Sequence, residues 1–194
     1  MPRGTVGRVT LGVSGIHNVQ NALAAAAAAT LSGVPAPDIL VALGSFRGAR
    51  RRMEYRGIFC GARVFDDYAH HPTEIRAALA AARELAGGGR VFAIFQSHTY
   101  SRTAAFFEEI TAALQAADRV LIADIYAARE KDTLGMSAAR LASGVGEKAT
   151  YAGGISDTAA ALARELLPGD LLLVMGAGDI DRIFAEFSKK HFTL

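Results

Sequence analysis

The sequence predicts an α/β fold: a mostly parallel sheet covered by helices on both faces. Three observations carry this. Short apolar runs at 91–95, 120–123 and 171–174 alternate with amphipathic segments of helical period, the pattern of βαβ units. The runs are apolar throughout rather than at every second residue, as in parallel strands buried on both faces. Polar segments follow the strands at 66–73, 96–103, 124–132 and 176–179, and sheets of this kind bind ligands beyond the carboxyl ends of their strands.

Each element has its own local reason. Residues 6–13 read as a strand, followed by Gly15 and a helix to about Ser32, ended by Gly33 and the Pro35/Pro37 pair. Asp38 suits the N-cap of a second short helix. Residues 53–59 and 63–65 read as two strands turned at Cys60-Gly61. Pro72 fits the first turn of a helix, where its missing N–H breaks no bond. Ile75, Ala78, Leu79, Ala82 and Leu85 then recur at helical spacing until three glycines, 87–89, end the run. Further helices are predicted at 106–114, 137–142, 157–167 and 179–187, with a weak strand at 149–151. A change of character near 46–48 places a boundary, giving regions 1–47 and 48–194.

Composition narrows the function classes. The chain has 194 residues, 51% of them hydrophobic, enough for one full domain plus an extra piece. The net charge of +2 and a single basic cluster at 47–52 argue against a nucleic-acid partner, which needs an extended basic face. Cys60 is the only cysteine, so there is no internal disulfide framework, which fits the cytoplasm. No apolar run approaches the roughly 18 residues of a membrane span, and the N-terminus lacks the succession of a signal peptide.

Four of the five histidines, His17, His70, His71 and His98, lie in polar segments, and His191 is in the tail. The segment from Gly15 to Asn21 offers His17, Asn18 and Asn21; amides suit the edge of a nucleobase, while helix capping by Asn18 is the structural alternative. In Asp66-Asp67-Tyr68-Ala69-His70-His71-Pro72-Thr73-Glu74, a carboxylate could accept ribose hydroxyls and an imidazole could take a proton from an amine. The alternative is a capped turn. A metal site is disfavoured, because adjacent histidines rarely point the same way. Arg102, in the segment Gln96 to Thr103, sits at a helix start and suits a carboxylate; otherwise it is a surface residue. Gly176-Ala177-Gly178-Asp179 is half of a dinucleotide fingerprint and reads better as a tight turn. The arginines of Phe46 to Glu54 suit phosphate, or a solvated strand edge.

The order of six segments, GIHNVQNALAA, SFRGARRRMEY, DDYAHHPTEI, FQSHTYSRT, DIYAAREKD and GDLLLVMGAGDI, resembles the Mur ligase family from about Gly15 to Ile183. DDYAHHPTE narrows the resemblance to two members. One adds L-alanine to UDP-N-acetylmuramate in peptidoglycan biosynthesis, and the other adds a preformed tripeptide to the same nucleotide. FQSHTYSRT resembles the first, although the usual form has Pro where this chain has Ser97. The resemblance implies that residues 1–47 are the tail of the central ATP-binding domain and 48–194 the Rossmann-like C-terminal domain. It implies ATP and Mg²⁺ as cofactors, with the Mg²⁺ ligands in the part of the central domain this chain lacks. No G-x-x-x-x-G-K-[ST] phosphate loop occurs in the sequence, so the chain by itself is expected to be catalytically incomplete. Carried over by position, His17, Asn18 and Asn21 contact adenine, Arg52 the phosphates and Asp67 the ribose. Tyr68, His70, His98 and Arg102 surround the incoming amino acid, with His70 and His98 as candidate bases. The competing reading is a non-catalytic nucleotide-binding module; an NAD-dependent oxidoreductase rests only on Gly176-Ala177-Gly178 and the fold class.

Overall fold

Two units, Met1–Arg50 and Arg51–Leu194, make up the chain in the computed structural model, which describes residues 7–13, 15–189 and 192–193. The first unit is a helix pair, α1 (Ile16–Leu31) and α2 (Ala36–Ser45). Alanines dominate α1, and alanine has the lowest cost of any residue in a helix. Two sequence expectations need correction here. Residues 7–13 form no strand; the first unit offers no second strand among its described residues, so a ladder has no partner there. Val6 lies outside the described residues, as does His191. Asp38 is not the N-cap of α2: Pro35 is, and Asp38 stands in the first turn, where a carboxylate still faces unpaired N–H groups.

The second unit holds a seven-stranded sheet: β1 (Glu54–Phe59), β2 (Ala62–Asp67), β3 (Val91–Gln96), β4 (Arg119–Ala123), β5 (Ala149–Gly153), β6 (Leu171–Gly176) and the two-residue β7 (Phe192–Thr193). Their spatial order is β5-β4-β3-β6-β2-β1-β7. Five strands, β2 to β6, are mutually parallel. β1 runs antiparallel to β2 across a two-residue turn in which Cys60 and Gly61 both have positive φ (51° and 81°), the backbone that matches strand twist in tight hairpins. β7 adds antiparallel to β1.

The uniformly apolar strands bury both faces. Val91, Ala93 and Phe95 point to one side, with Leu171, Leu173 and Met175, where they meet Ile75 and Leu79 of α3 (Pro72–Ala86), Ile110 of α5 (Phe107–Leu114) and Leu141 of α6 (Ala138–Val145). Phe92, Ile94, Leu172 and Val174 point to the other, against Leu162 of α7 (Ile155–Glu165) and Ile183 and Phe187 of α8 (Ile183–Ser188). Phe187 stacks on Phe59 at 4.2 Å between ring centroids. The predicted last helix at 179–187 is corrected in its first turn: Arg182 N–H donates to Asp179 C=O at 3.0 Å, making a 3-10 turn (Ile180–Arg182) before α8 begins.

Leu173 sits in the middle of β6, fully buried and paired with Phe65 on one side and Ala93 on the other. Leu173→Ala should lower the unfolding free energy of the chain by about 2–5 kcal/mol, as for leucines in packed cores. Urea denaturation would measure this; a loss under about 1 kcal/mol would contradict the packing described.

Candidate functional site

The chain leaves β2 and β3 toward the face carrying α3, α5 and α6, but leaves β6, which lies between them, toward the face carrying α7 and α8. Adjacent loops that part in this way open a crevice at the carboxyl ends of the strands. The segments after β2, β3, β4 and β6 all arrive there.

After β2, two neighbouring carboxylates are buried, Asp66 1% and Asp67 6% exposed. Asp67 accepts the Met53 N–H on Oδ2 (2.9 Å) and the Ala69 N–H on Oδ1 (2.8 Å). Burial pushes its pKa up, against those two amides. Asp66 instead faces the Arg51 guanidinium, Nε to Oδ1 3.5 Å. Burial wins there as well and pushes Asp66 up to about 6. The two adjacent histidines point apart. His71 Nδ1 accepts the Thr73 N–H at 3.3 Å and caps α3, with Glu74 completing a capping box. His70 turns to the crevice, where Nδ1 lies 3.0 Å from the Tyr68 carbonyl and 3.3 Å from Glu74 Oε2. Both partners only accept, so Nδ1 carries a hydrogen, and in the neutral ring the lone pair is on Nε2.

After β3 the chain enters α4 (Tyr100–Ala105) through Thr99, held at φ 65°. His98 pairs with Tyr126 of the loop after β4 as an isolated parallel bridge. The rings form a row: Tyr68 to His70 5.5 Å, His70 to His98 6.3 Å, and His98 to Tyr126 5.5 Å between centroids. His98 is pushed toward the neutral form by burial first, then by the positive charge of Arg102 and by His70. Its Nδ1 is buried without a hydrogen-bond partner. Arg102 is half-buried, and among the described residues no carboxylate lies within ion-pair distance of it. One reading is revised. α4 spans only six residues and breaks at Phe106, and its first N–H groups already have acceptors, the Glu130 carboxylate for Ser101 and the Thr99 hydroxyl for Arg102. The helix start therefore adds no open anion seat.

Adjacent arginines divide the work. Arg51, read in the sequence only as one of a run of arginines suited to phosphate, donates instead to the Gly176 carbonyl at 2.6 Å and the Gly178 carbonyl at 3.4 Å, and lies 5.0 Å over the Tyr68 ring. Its own carbonyl accepts the Tyr68 N–H at 2.7 Å. Arg52 has a half-exposed side chain and only a loose ion pair, 3.7 Å to Glu74. The glycines at 176 and 178 serve close approach. A Cβ on Gly178 would come 2.5 Å from Gln96 Oε1 and 2.6 Å from the Tyr126 side chain. Non-glycine residues at positive φ also gather here: Arg51, Met53, Thr99 and Ala128, with Cys60 the one elsewhere among the described residues. Such strain collects at functional sites. Gln96, Tyr126 and Glu130 were missed in the sequence, though Tyr126 and Glu130 stand in the DIYAAREKD segment. His17, Asn18 and Asn21 lie in the first two turns of α1 in the other unit. Gly15, not Asn18, occupies the N-cap; Asn21 is exposed; the His17 side chain lies outside the described residues. Among the described residues no three His, Cys, Asp or Glu side chains are grouped to hold a metal, and no helix is long and apolar enough to cross a membrane.

The Asp66 shift has a measurable consequence. Its folded pKa, about 6, lies above the ordinary 3.8, so folding favours the neutral carboxyl. Its contribution is full below the unfolded pKa and is lost as pH rises through the folded one. Between about pH 4 and pH 7 the native chain should lose about 2 kcal/mol of stability relative to Asp66→Asn. Paired denaturant titrations across that range test this; parallel pH profiles for the two proteins would count against it.

A family model for the Mur ligase glutamate ligase domain matches residues 51–178. The UDP-N-acetylmuramate–L-alanine ligase of Mycolicibacterium smegmatis is 49% identical over 180 residues, 92% of this chain and 37% of that protein. The chain thus spans well under half the length of this curated relative. Among solved structures, the UDP-N-acetylmuramate-alanine ligase of Thermotoga maritima is 28% identical with a TM-score of 0.75, covering 93% of this chain and 39% of that one. A murein peptide ligase from Psychrobacter arcticus is 26% identical with a TM-score of 0.67, covering 95% and 40%. With the parallel sheet, the crevice at its switch point and these matches in agreement, the chain belongs to the Mur ligase family, in its C-terminal domain.

Proposed function

We propose that this chain supplies the amino-acid- and nucleotide-contacting part of an ATP-dependent ligase that joins L-alanine to UDP-N-acetylmuramate in peptidoglycan biosynthesis, in the cytoplasm. The observation that carries the reading is a pairing of complementary groups in one crevice. Arg102 has no carboxylate partner among the described residues, and it lies close enough to His98 to depress that imidazole's basicity. His70, next in the row, is anchored through Nδ1, so that in its neutral form Nε2 carries the lone pair. An α-amino acid needs a guanidinium for its carboxylate and an imidazole for the proton its ammonium must lose. Tyr68 borders the same row.

The chemistry assigned to these residues balances as follows. ATP, when bound, supplies the phosphoryl group that activates the muramate carboxylate as an acyl phosphate. The L-alanine ammonium gives a proton to His70 or His98, the freed nitrogen lone pair forms the C–N bond as the C–O bond to phosphate breaks, and the second proton the nitrogen sheds on becoming an amide leaves with the phosphate. Arg102 orients the amino acid through its carboxylate. Arg52, with its side chain half free, is assigned to the phosphates. Asp67 is assigned to the ribose; each of its oxygens accepts one backbone amide, and a carboxylate oxygen can accept a second bond. His17, Asn18 and Asn21 are assigned to adenine, as part of the central-domain tail at 1–47, and residues 48–194 form the C-terminal domain. The Mg²⁺ ligands and the phosphate cradle are assigned to upstream domains.

Two experiments test this. The chain alone, incubated with UDP-N-acetylmuramate, L-alanine, ATP and Mg²⁺, should release no phosphate. Joined behind the upstream part of the Mycolicibacterium smegmatis relative, it should give L-alanine-dependent release. Turnover by the chain alone, or a joined enzyme that uses a tripeptide in place of L-alanine, would overturn the assignment. In the joined enzyme, Arg102→Ala should cost about 1.5–3 kcal/mol of transition-state binding, roughly ten- to 150-fold in kcat/KM for L-alanine. An unchanged kcat/KM would remove Arg102 from the site.

A further inference from the structure

The loop between β4 and α6 carries a carboxylate that none of the roles above uses. Glu130 reaches back to the start of α4, where Oε1 accepts the Ser101 hydroxyl at 2.6 Å and Oε2 the Ser101 N–H at 2.9 Å. The Thr99 hydroxyl and the Tyr100 N–H also act on it. The loop is stitched to the extension of β3 by Thr99 N–H to Tyr126 C=O and Tyr126 N–H to Ser97 C=O, each 2.9 Å. Ala128, at φ 54°, lies between that stitch and Glu130. A non-glycine residue persists in that conformation only where its surroundings fix it.

We propose that Glu130 is a positioning residue for the amino-acid end of the site: it fills the start of α4 with a carboxylate of the chain itself and so reserves Arg102 for the carboxylate of the substrate. The rest follows from helix geometry. Successive side chains of a helix diverge by about 100°, so a carboxylate anchored on Ser101 sits to one flank of Arg102 and does not neutralise it. Without Glu130, the unpaired Ser101 N–H and hydroxyl would compete for the substrate's carboxylate and draw it off the guanidinium. Glu130 also sets the charge around His98. The charged and titratable groups facing that imidazole are Arg102 and His70, which disfavour its protonated form, and Glu130, which favours it; Tyr126 packs on its ring.

The identity of the substrate rests on the ligase reading above, but the placement of Glu130 does not, so the test has two arms. In the joined enzyme, Glu130→Ala should raise KM for L-alanine roughly five- to tenfold, as expected for a lost charge-assisted contact, while KM for ATP stays within about twofold. Glu130→Asp keeps the charge with a shorter reach and should recover part of the loss. In the chain alone, NMR titration of labelled histidines should show His98 titrating at lower pH in Glu130→Gln and close to the native value in Glu130→Asp, with thermal unfolding confirming that each variant is folded. Equal rises in both KM values, an unchanged KM for L-alanine, or an unmoved His98 titration in a folded Glu130→Gln variant would overturn the proposal. Lack of L-alanine-dependent turnover in the unmutated joined enzyme would count against the ligase reading, and the His98 arm would then decide on Glu130.

Discussion

β6 lies between β2 and β3 and bonds to both, and the arrangement at the carboxyl end of the sheet follows from that one insertion. All six of its residues are buried. It is the last parallel strand in the chain yet is inserted inside the parallel set, between β3 and β2, so it closes contacts between segments about a hundred residues apart. Its backbone can be satisfied only by strands on both sides, and its side chains only by helices on both faces. Because the chain exits β6 to the opposite face from its two neighbours, the sheet has a crevice there rather than a continuous wall of loops.

The crevice carries more buried charge than a sheet edge usually tolerates. Asp66 and Asp67 are consecutive, so their side chains point to opposite faces of β2, and each has a different substitute for water. Asp67 has two backbone amides. Asp66 has Arg51, whose guanidinium also takes the carbonyls of Gly176 and Gly178. The arginine compensates the acid incompletely, since burial still lifts the carboxyl to about 6. What it secures is geometry, because one planar group ties the ends of β2 and β6 together.

Much of this could be read in the sequence where the local rule and the fold agree. The uninterrupted apolar runs gave the buried strands, Pro72 and the 87–89 glycines bracketed α3, and the polar segments after the strands marked the crevice. The misses have physical causes. Residues 7–13 have strand composition, but a strand is decided by its neighbours and none is present among the described residues of that unit. The start of α4 looked open to an anion because Glu130, which fills it, is 29 residues away in sequence. Arg51 and Arg52 are indistinguishable by type; only the positive φ of Arg51 and its inward course separate a strap from a half-exposed side chain.

The contact at Gly178 reaches further than a tight turn. A Cβ there would meet Gln96, the last residue of β3, and Tyr126, in the loop after β4, while Gln96 Nε2 donates to Asp179 Oδ1 at 3.0 Å. Three loops from different strands are therefore pressed into one block, with Arg51 adding a fourth. Such a wall has few independent motions left, and its ordering entropy is lost during folding rather than when a ligand arrives. A surface of that kind moves as a body, presenting its imidazoles and guanidinium already at fixed spacing. It also makes the turn intolerant of mutation: even a methyl group at position 178 would have to displace two loops at once.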